Sequence, residues 1–432
     1  MARETIYALA SGQGVCGVAV VRVSGPEAWT IVERLSRNGP PPPRQAALRR
    51  LYDHTGALLD EALVLCFAEG ASFTGEAVAE LHCHGGRAVV RAVLSAVAAA
   101  APCRAAEPGE FTWRAFEQGR LDLARVEALG DLLAAETEAQ RRQAARLMEG
   151  ALHTRAEGWR GALVRALALV EVTIDWADEE VPEDVSPEVA LLLGEVAREI
   201  AAELGTAEAA ARLRTGFEVA LIGAPNAGKS SLLNALAGRE AAITSAIPGT
   251  TRDVLELRYD LDGLPVTFLD TAGLRETADD IEAIGVARAR ARAEQADLRL
   301  LLVAPDAPAP AWGGLCATDD ILVRSKADLG GEGAGVPVSA LTGQGIPALL
   351  EAIRAGLGAR AEGGLIAHRR QHEALASGLA ALRAAEKGLD QRGAEEVSED
   401  IRTGLGALER LIGRVGVEDV LGEVFSRFCL GK

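Results

Sequence analysis

The 432-residue sequence predicts a multidomain protein of α/β and α character: an N-terminal α+β domain, then a discontinuous helical domain interrupted by an inserted α/β domain. Three observations lead there. Residues 1 to about 115 mix β-branched runs with turn signals. Residues 121–214, and again 367–432, carry apolar side chains at helical spacing. Residues 217–357 alternate short β-rich runs with helices. Two moderately long helical stretches, neither self-sufficient, favour one interrupted domain over four in series. The expected boundaries are 1–117, 118–214, 215–358 and 359–432.

Each element has a local reason. Val15 to Val23 is rich in β-branched residues, and Leu63 to Phe67 and Val78 to His84 alternate in strand fashion. Asn38 to Pro43 is a stiff surface loop. Leu121, Ala124, Leu129, Leu132 and Leu133 recur near the helical period, and Val181-Pro182 to Ser186-Pro187 interrupts that pattern. Aromatics are only 4%, so the core is mainly Ala, Leu and Val, of which Ala and Leu are strong helix formers.

Charge narrows the function classes. A net charge of −17 excludes a nonspecific binder of nucleic acid or anionic membrane, although local basic patches stay open. The six Cys (16, 66, 83, 103, 316 and 429) contain no Cys-x-x-Cys pair, which points to reduced, cytoplasmic thiols. Met1 to Thr5 has no apolar secretory core, and the apolar run Ala92 to Pro102 is too short to span a bilayer, so no membrane role is expected. The chain has 41 Arg and four Lys: Lys229, Lys326, Lys387 and Lys432. Where Arg is the default cation, a retained Lys suggests a chemical requirement.

The strand Phe217 to Ile222 runs into Gly223-Ala224-Pro225-Asn226-Ala227-Gly228-Lys229-Ser230, then an apolar helix. That is the P-loop spacing in its strand–loop–helix setting. Backbone N–H groups and the helix N-terminus would cradle a polyphosphate, Lys229 would bind the β and γ oxygens, and Ser230 would ligate Mg²⁺. Leu264 to Leu269 leads to Asp270-Thr271-Ala272-Gly273, where the Asp holds Mg²⁺ through water and the Gly N–H reaches the γ-phosphate. Ile321 to Arg324 ends in Ser325-Lys326-Ala327-Asp328. Asp328 can accept two hydrogen bonds from guanine N1–H and its amino group, which adenine does not offer, and Lys326 would pack along the base and ribose. Val336 to Val338 leads to Ser339-Ala340-Leu341, where a backbone N–H can donate to guanine O6. Order and spacing together predict a Ras-like P-loop GTPase domain.

Two departures stand out. Ser325 occupies a place usually held by Asn, with a shorter side chain and no amide, so some guanine affinity would be lost. Leu274 follows Gly273, where Ras-like enzymes usually place a water-orienting Gln. Water must then be positioned from elsewhere, with Glu276, Asp279, Asp280 and Glu282 nearby. Asn226 offers a neutral oxygen able to hold a monovalent cation against the phosphates. Thr250-Thr251-Arg252-Asp253 is the natural first switch, with Thr251 on Mg²⁺.

The blocks 223–234, Pro-Gly-Thr-Thr-Arg-Asp (248–253) and Asp-Thr-Ala-Gly-Leu-Arg-Glu (270–276) resemble the TrmE–Era–EngA branch of GTPases. Val20 to Gly25, His84-Gly85-Gly86, Pro108 to Thr112 with Arg114 to Phe116, and the tail Phe425 to Lys432 with its Cys-x-Gly-Lys motif narrow the resemblance to the tRNA modification GTPase family MnmE (TrmE), over essentially the whole chain. The resemblance implies an N-terminal tetrahydrofolate-binding domain that dimerises, and a homodimer that works on tRNA with the FAD-dependent MnmG (GidA). It implies addition of an aminomethyl or carboxymethylaminomethyl group at carbon 5 of the wobble uridine. The one-carbon unit would come from a 5-formyl- or 5,10-methylene-tetrahydrofolate, and GTP hydrolysis would depend on K⁺.

Carried across by position, the resemblance makes Glu282 the acid that orients attacking water. Asn226, Ser245, Ile247 and Thr250 would hold K⁺, and Ser230 and Thr251 would hold Mg²⁺. Arg22, Glu80, Arg120 and Lys432 would line the folate site; some relatives carry Lys where Arg120 stands. GTP would contact Asn226, Ala227, Gly228, Lys229, Ser230 and Ser231, then Ser245, Ala246, Ile247, Pro248, Gly249, Thr250 and Thr251. Asp270, Thr271, Ala272 and Gly273, then Ser325, Lys326 and Asp328, and finally Ser339 and Ala340 complete the set.

Blander readings apply elsewhere. In His82-Cys83-His84 a strand would point Cys83 away from both His residues, which argues for structure over metal binding. Cys429 reads as a packed thiol, and Arg141-Arg142 and Arg369-Arg370 as solvated helix faces or part of a tRNA patch. Two rivals remain: an Era- or EngA-like ribosome-assembly GTPase, and a folate-binding protein with a vestigial GTPase domain. The acidic appendages and the Cys-Leu-Gly-Lys tail weigh against the first, the complete phosphate motifs against the second.

Overall fold

The structure is a computed structural model that describes residues 4–175, 185–243, 256–270, 291–292, 294–306, 320–330, 332–358, 364–414, 424–425, 428 and 431. The chain forms two compact units, residues 1–130 with 409–432, and residues 131–408.

The first unit is built on a six-stranded sheet of β1 (Thr5–Leu9), β2 (Cys16–Ser24), β3 (Ala47–Tyr52), β4 (Leu58–Phe67), β5 (Val78–Gly85) and β6 (Cys103–Ala105). Its order is β3-β4-β5-β2-β1-β6. Strand alternation decides its faces. Ala19, Val21, Val23, Ala62, Val64, Leu81 and Cys83 form one core with α1 (Ala28–Leu35) and α2 (Arg87–Ala100). Helix α1 presents Ala28, Ile31, Val32 and Leu35, a helical stripe, to that core. β4 starts at Leu58, ahead of the expected Leu63. Asp60 and Glu61 mask the apolar alternation there, but Leu51 and Arg50 of β3 pair with them.

α3 (Glu110–Glu117) packs with the tail, as does α4 (Leu123–Ala134) through Leu123 and Val126. Trp113 and Phe116 surround Phe425, with Trp113 and Phe425 edge-on at 5.1 Å. Gly109 precedes α3 with φ +75°, and a side chain there would run into the Phe425 backbone oxygen. The unit also holds a buried ionic lock. Arg114 reaches Glu76 at 2.9 Å and Glu110 at 3.0 Å, and the Ser24 hydroxyl donates to Glu76 at 2.7 Å.

The second unit contains α5 (Glu138–Met148), α6 (Ala151–Asp175), α7 (Ser186–Gly205), α8 (Ala207–Thr215) and α11 (Arg369–Gly388). Thr137 and Gln140 form a capping box at the start of α5, and Pro187 sits in the first turn of α7. Between α8 and α11 lies a seven-stranded sheet of β7 (Phe217–Gly223), β8 (Ala242–Ile243), β9 (Glu256–Leu261), β10 (Leu264–Asp270), β11 (Leu298–Val303), β12 (Ile321–Arg324) and β13 (Val336–Pro337). The order is β13-β12-β11-β7-β10-β9-β8, parallel from β13 to β10. α9 (Lys229–Ala237) and α10 (Ile346–Gly358) cover it through Leu232, Leu236, Leu349 and Ile353.

The α/β part is inserted into the helical part. The chain enters it at Arg214, whose guanidinium donates to Ala367 O at 2.9 Å on the returning segment. His368 Nε2 lies 2.8 Å from Asp131 Oδ2 beside that neck. Among the described residues no helix is long and apolar enough to cross a membrane.

Candidate functional site

Parallel strands put the ends of β7, β10 and β12 at one edge of the sheet, where open α/β sheets bind ligands. The loop after β7 turns through Asn226 at φ +65° and Gly228 at φ +92°, and α9 starts at Lys229. Lys229 is buried, and its ammonium donates to Gly223 O at 2.7 Å and Ala224 O at 3.1 Å. Burial pushes its pKa down, against the opposing pull of the Asp270 carboxylate. The Ser230 hydroxyl donates to Asp270 Oδ2 at 2.8 Å. Those two hard oxygens, one in the first turn of α9 and one at the end of β10, form a donor set that suits Mg²⁺. Asn226 and Ser231 are exposed, whereas Ala227 is buried.

The base-side residues take distinct postures. Ser325 is buried, and its hydroxyl donates to Ala227 O at 2.6 Å. Lys326 has φ +55° and its ammonium pairs with Asp306 at 2.6 Å, which holds the Asp306 carboxyl below its usual range. Asp328 is exposed. The Ser339 N–H donates inward to Gln344 O at 2.9 Å, so of the Ser339–Ala340 pair the Ala340 N–H is the donor available to a base.

Ser245, Ala246, Ile247, Pro248, Gly249, Thr250, Thr251, Thr271, Ala272, Gly273, Glu282, Cys429 and Lys432 lie outside the described residues.

A second cluster sits on the sheet of the first unit. Arg22 on β2 is the register partner of Glu80 on β5. Its Nε donates to Glu80 Oε1 at 3.0 Å, its guanidinium lies 5.7 Å from the Phe111 ring centre, and its third nitrogen donates to Gly431 O at 3.4 Å. Gly431 has φ +92°, and a side chain there would collide with Leu9 O at the end of β1. That close approach requires glycine at this place in the tail motif. Sequence reasoning missed His82, whose Nε2 is 3.2 Å from Glu80 Oε2. Its i+2 spacing from Glu80 on a strand was the available signal. Arg120 is exposed, with its N–H on Ala115 O at 2.8 Å, and makes no ion pair among the described residues.

Cys83 is buried and His84 exposed, as alternation requires. Burial pushes the Cys83 thiol up, and His84 Nδ1 lies 2.7 Å from Asp60. Arg141 and Arg142 both pair with Glu138, and Arg369 pairs with Glu373.

A family model described as GTP-binding protein TrmE N-terminus matches residues 5–120, and one described as MnmE helical domain matches residues 123–429. The tRNA modification GTPase MnmE of Dinoroseobacter shibae is 53% identical over 431 residues, covering 99% of this chain and 100% of that one. Its counterpart in Cereibacter sphaeroides is 52% identical over 432 residues, with 99% and 100% covered. Among solved structures, the G domain of the T. maritima FeoB iron transporter is 26% identical, covers 32% of this chain and 98% of that one, and has a TM-score of 0.26, too low to bear on the whole fold. The two family models and the full-length relatives agree: the chain belongs to the MnmE family of tRNA modification GTPases.

Proposed function

We propose that the chain is a K⁺-dependent GTPase that, with the FAD-dependent MnmG, adds an aminomethyl or carboxymethylaminomethyl group at carbon 5 of the wobble uridine of certain tRNAs. A tetrahydrofolate one-carbon unit supplies the methylene. Family membership makes the chain a GTP hydrolase acting in tRNA modification. The finer parts rest on the two residue clusters, and the chain acts as a homodimer in the cytoplasm.

The observation that carries the folate reading is the meeting of Arg22, Glu80 and Gly431, far apart in sequence, on one face of the first unit's sheet. A guanidinium beside a carboxylate suits a polar pterin or a glutamate tail, and Phe111 gives an apolar wall. Lys432, next to Gly431, and Arg120 would add charge. On the nucleotide side, Lys229 would exchange its loop carbonyls for phosphate oxygens. Ser230 and Thr251 would hold Mg²⁺, which when bound neutralises charge between the β- and γ-phosphates. Asn226, with the backbone of Ser245, Ile247 and Thr250, would hold K⁺; the exposed Asn226 offers a carbonyl oxygen of the right kind. Glu282 would orient the attacking water in place of the Gln that Leu274 replaces.

The test is hydrolysis by the purified chain in K⁺ against Na⁺, for the parent and Asn226→Ala, with calorimetric titration of 5-formyltetrahydrofolate alongside. The expected result is faster turnover in K⁺, loss of that difference in the variant, and saturable folate binding. Equal rates in both salts would remove the K⁺ part, and absence of folate binding would remove the one-carbon part.

A further inference from the structure

We propose that the Ser325 hydroxyl is a positioning group that fastens the base-recognition segment to the phosphate loop, and that it does not read the base. The proposal rests on the GTPase reading above and assigns a role within that site.

The hydroxyl oxygen of Ser325 lies 2.6 Å from Ala227 O and 3.2 Å from Val303 O. Its own backbone N–H also donates to Val303 O, at 2.9 Å. Three segments therefore meet at one residue: the loop after β7, the end of β11 and the end of β12. Ala227 is 1% exposed and Ser325 6% exposed, so this contact is shielded from water. Ala227 immediately precedes Gly228 and Lys229, the residues that open α9. A displacement of Ala227 O therefore displaces the start of the helix that faces the phosphates.

Proton counting separates this residue from the Asn usually found there. An Asn amide has two protons and a carbonyl oxygen, enough to bind the loop and still offer a group to a ligand. A Ser hydroxyl has a single proton, and here it goes to Ala227 O at the shorter distance. The buried hydroxyl has no second donor for the N7 or O6 of guanine. Discrimination between guanine and adenine then falls to the exposed Asp328 and the Ala340 N–H. Ser325 thus supports affinity for any nucleotide that fills both loops, without choosing its base.

Removing the hydroxyl unfastens the phosphate loop from the base-recognition segment, so nucleotide must order the two together on binding, and a cost of about one hydrogen bond corresponds to roughly a tenfold loss in binding. Ser325→Ala should weaken GDP and GTP equally by about that factor, raise KM, leave kcat little changed, and keep the parent's preference for GTP over ATP. Ser325→Thr, which keeps a hydroxyl, should restore affinity. Ser325→Cys, near in size but a poor donor, should resemble Ala and gives an answer if the Ala variant fails to fold. Asp328→Ala should do the opposite, collapsing the preference for guanine. The measurement is fluorescence titration with labelled GDP and GTP, with unlabelled ATP as competitor, on each full-length variant. Ala and Cys variants that bind as the parent does would overturn the positioning role. Variants that lose guanine preference would also overturn it, by showing that the hydroxyl reads the base. A parent that binds GTP no better than ATP would overturn the GTPase reading itself, which separates the two failures.

Discussion

The seven-stranded sheet of the second unit and the six-stranded sheet of the first hold their candidate sites by different geometry. In the seven-stranded sheet, the parallel strands β7, β10 and β12 end at one edge, where the first turn of α9 supplies Lys229 and Ser230, the end of β10 supplies Asp270 and the turn after β12 supplies Asp328. In the six-stranded sheet, Arg22 and Glu80 are register partners in mid-sheet, on neighbouring antiparallel strands. Their face carries α3 and the tail, and beside them lies the lock of Arg114, Glu76, Glu110 and Ser24. An edge site can change loop by loop with little effect on the core. A site on a sheet face shares its side chains with the packing, so its variants touch binding and stability together.

That contrast can be broken in order of effect. Glu282→Ala should lower kcat for GTP by about 10² or more while binding survives, as for a group acting only on water in the transition state. If Asp279→Ala or Asp280→Ala does this instead, the wrong acid has been assigned. Lys229→Ala should weaken GTP by about 10²–10³-fold, since it removes a buried charge from the phosphates. Folate titration of the same variant should be unchanged, and a fall in both would show that the two sites are not separable. Arg22→Ala should weaken 5-formyltetrahydrofolate by about 10–100-fold through loss of charge-assisted hydrogen bonds, with GTP hydrolysis retained.

The smallest effect concerns the lock. Burial raises the Glu110 pKa, but Arg104, the Glu107 N–H and Arg114 outweigh it and hold the carboxyl below its usual range. A depressed folded-state pKa stabilises above the unfolded-state value, and that stability is lost as pH falls through the folded value. Unfolding curves of Glu110→Gln should show a deficit of about 1–3 kcal/mol at neutral pH that closes on acidification. A deficit independent of pH would mean that Glu110 acts by packing alone.

The same contrast explains what the sequence made legible. Gly223 to Ser230, Asp270 and Ser325 to Asp328 come as short contiguous runs because each is one loop at the end of one strand, and β12 begins and ends where its residues predict. The posture of Ser325 was not legible, because its partner Ala227 is 98 residues away. On the six-stranded sheet, Glu80 and His82 are separated by an inward-facing residue, and Arg22 and Gly431 meet only through the fold. Beyond the i+2 spacing of Glu80 and His82, no local pattern announces such a site; the family resemblance pointed to Arg22, Glu80 and the tail. Gly109 and Gly431 looked like ordinary motif glycines until Phe425 and Leu9 showed how closely the backbone passes.

The most direct test joins both sheets in one readout: mass spectrometry of wobble-uridine nucleosides in tRNA from a bacterial strain lacking its own family member and supplied with this chain. The parent should restore the carbon-5 aminomethyl or carboxymethylaminomethyl group. Lys229→Ala and Arg22→Ala, each expressed and folded, should fail to restore it, the first for want of GTP and the second for want of folate. Full modification by the Arg22→Ala chain after its folate binding is lost, or none by the parent, would contradict the account.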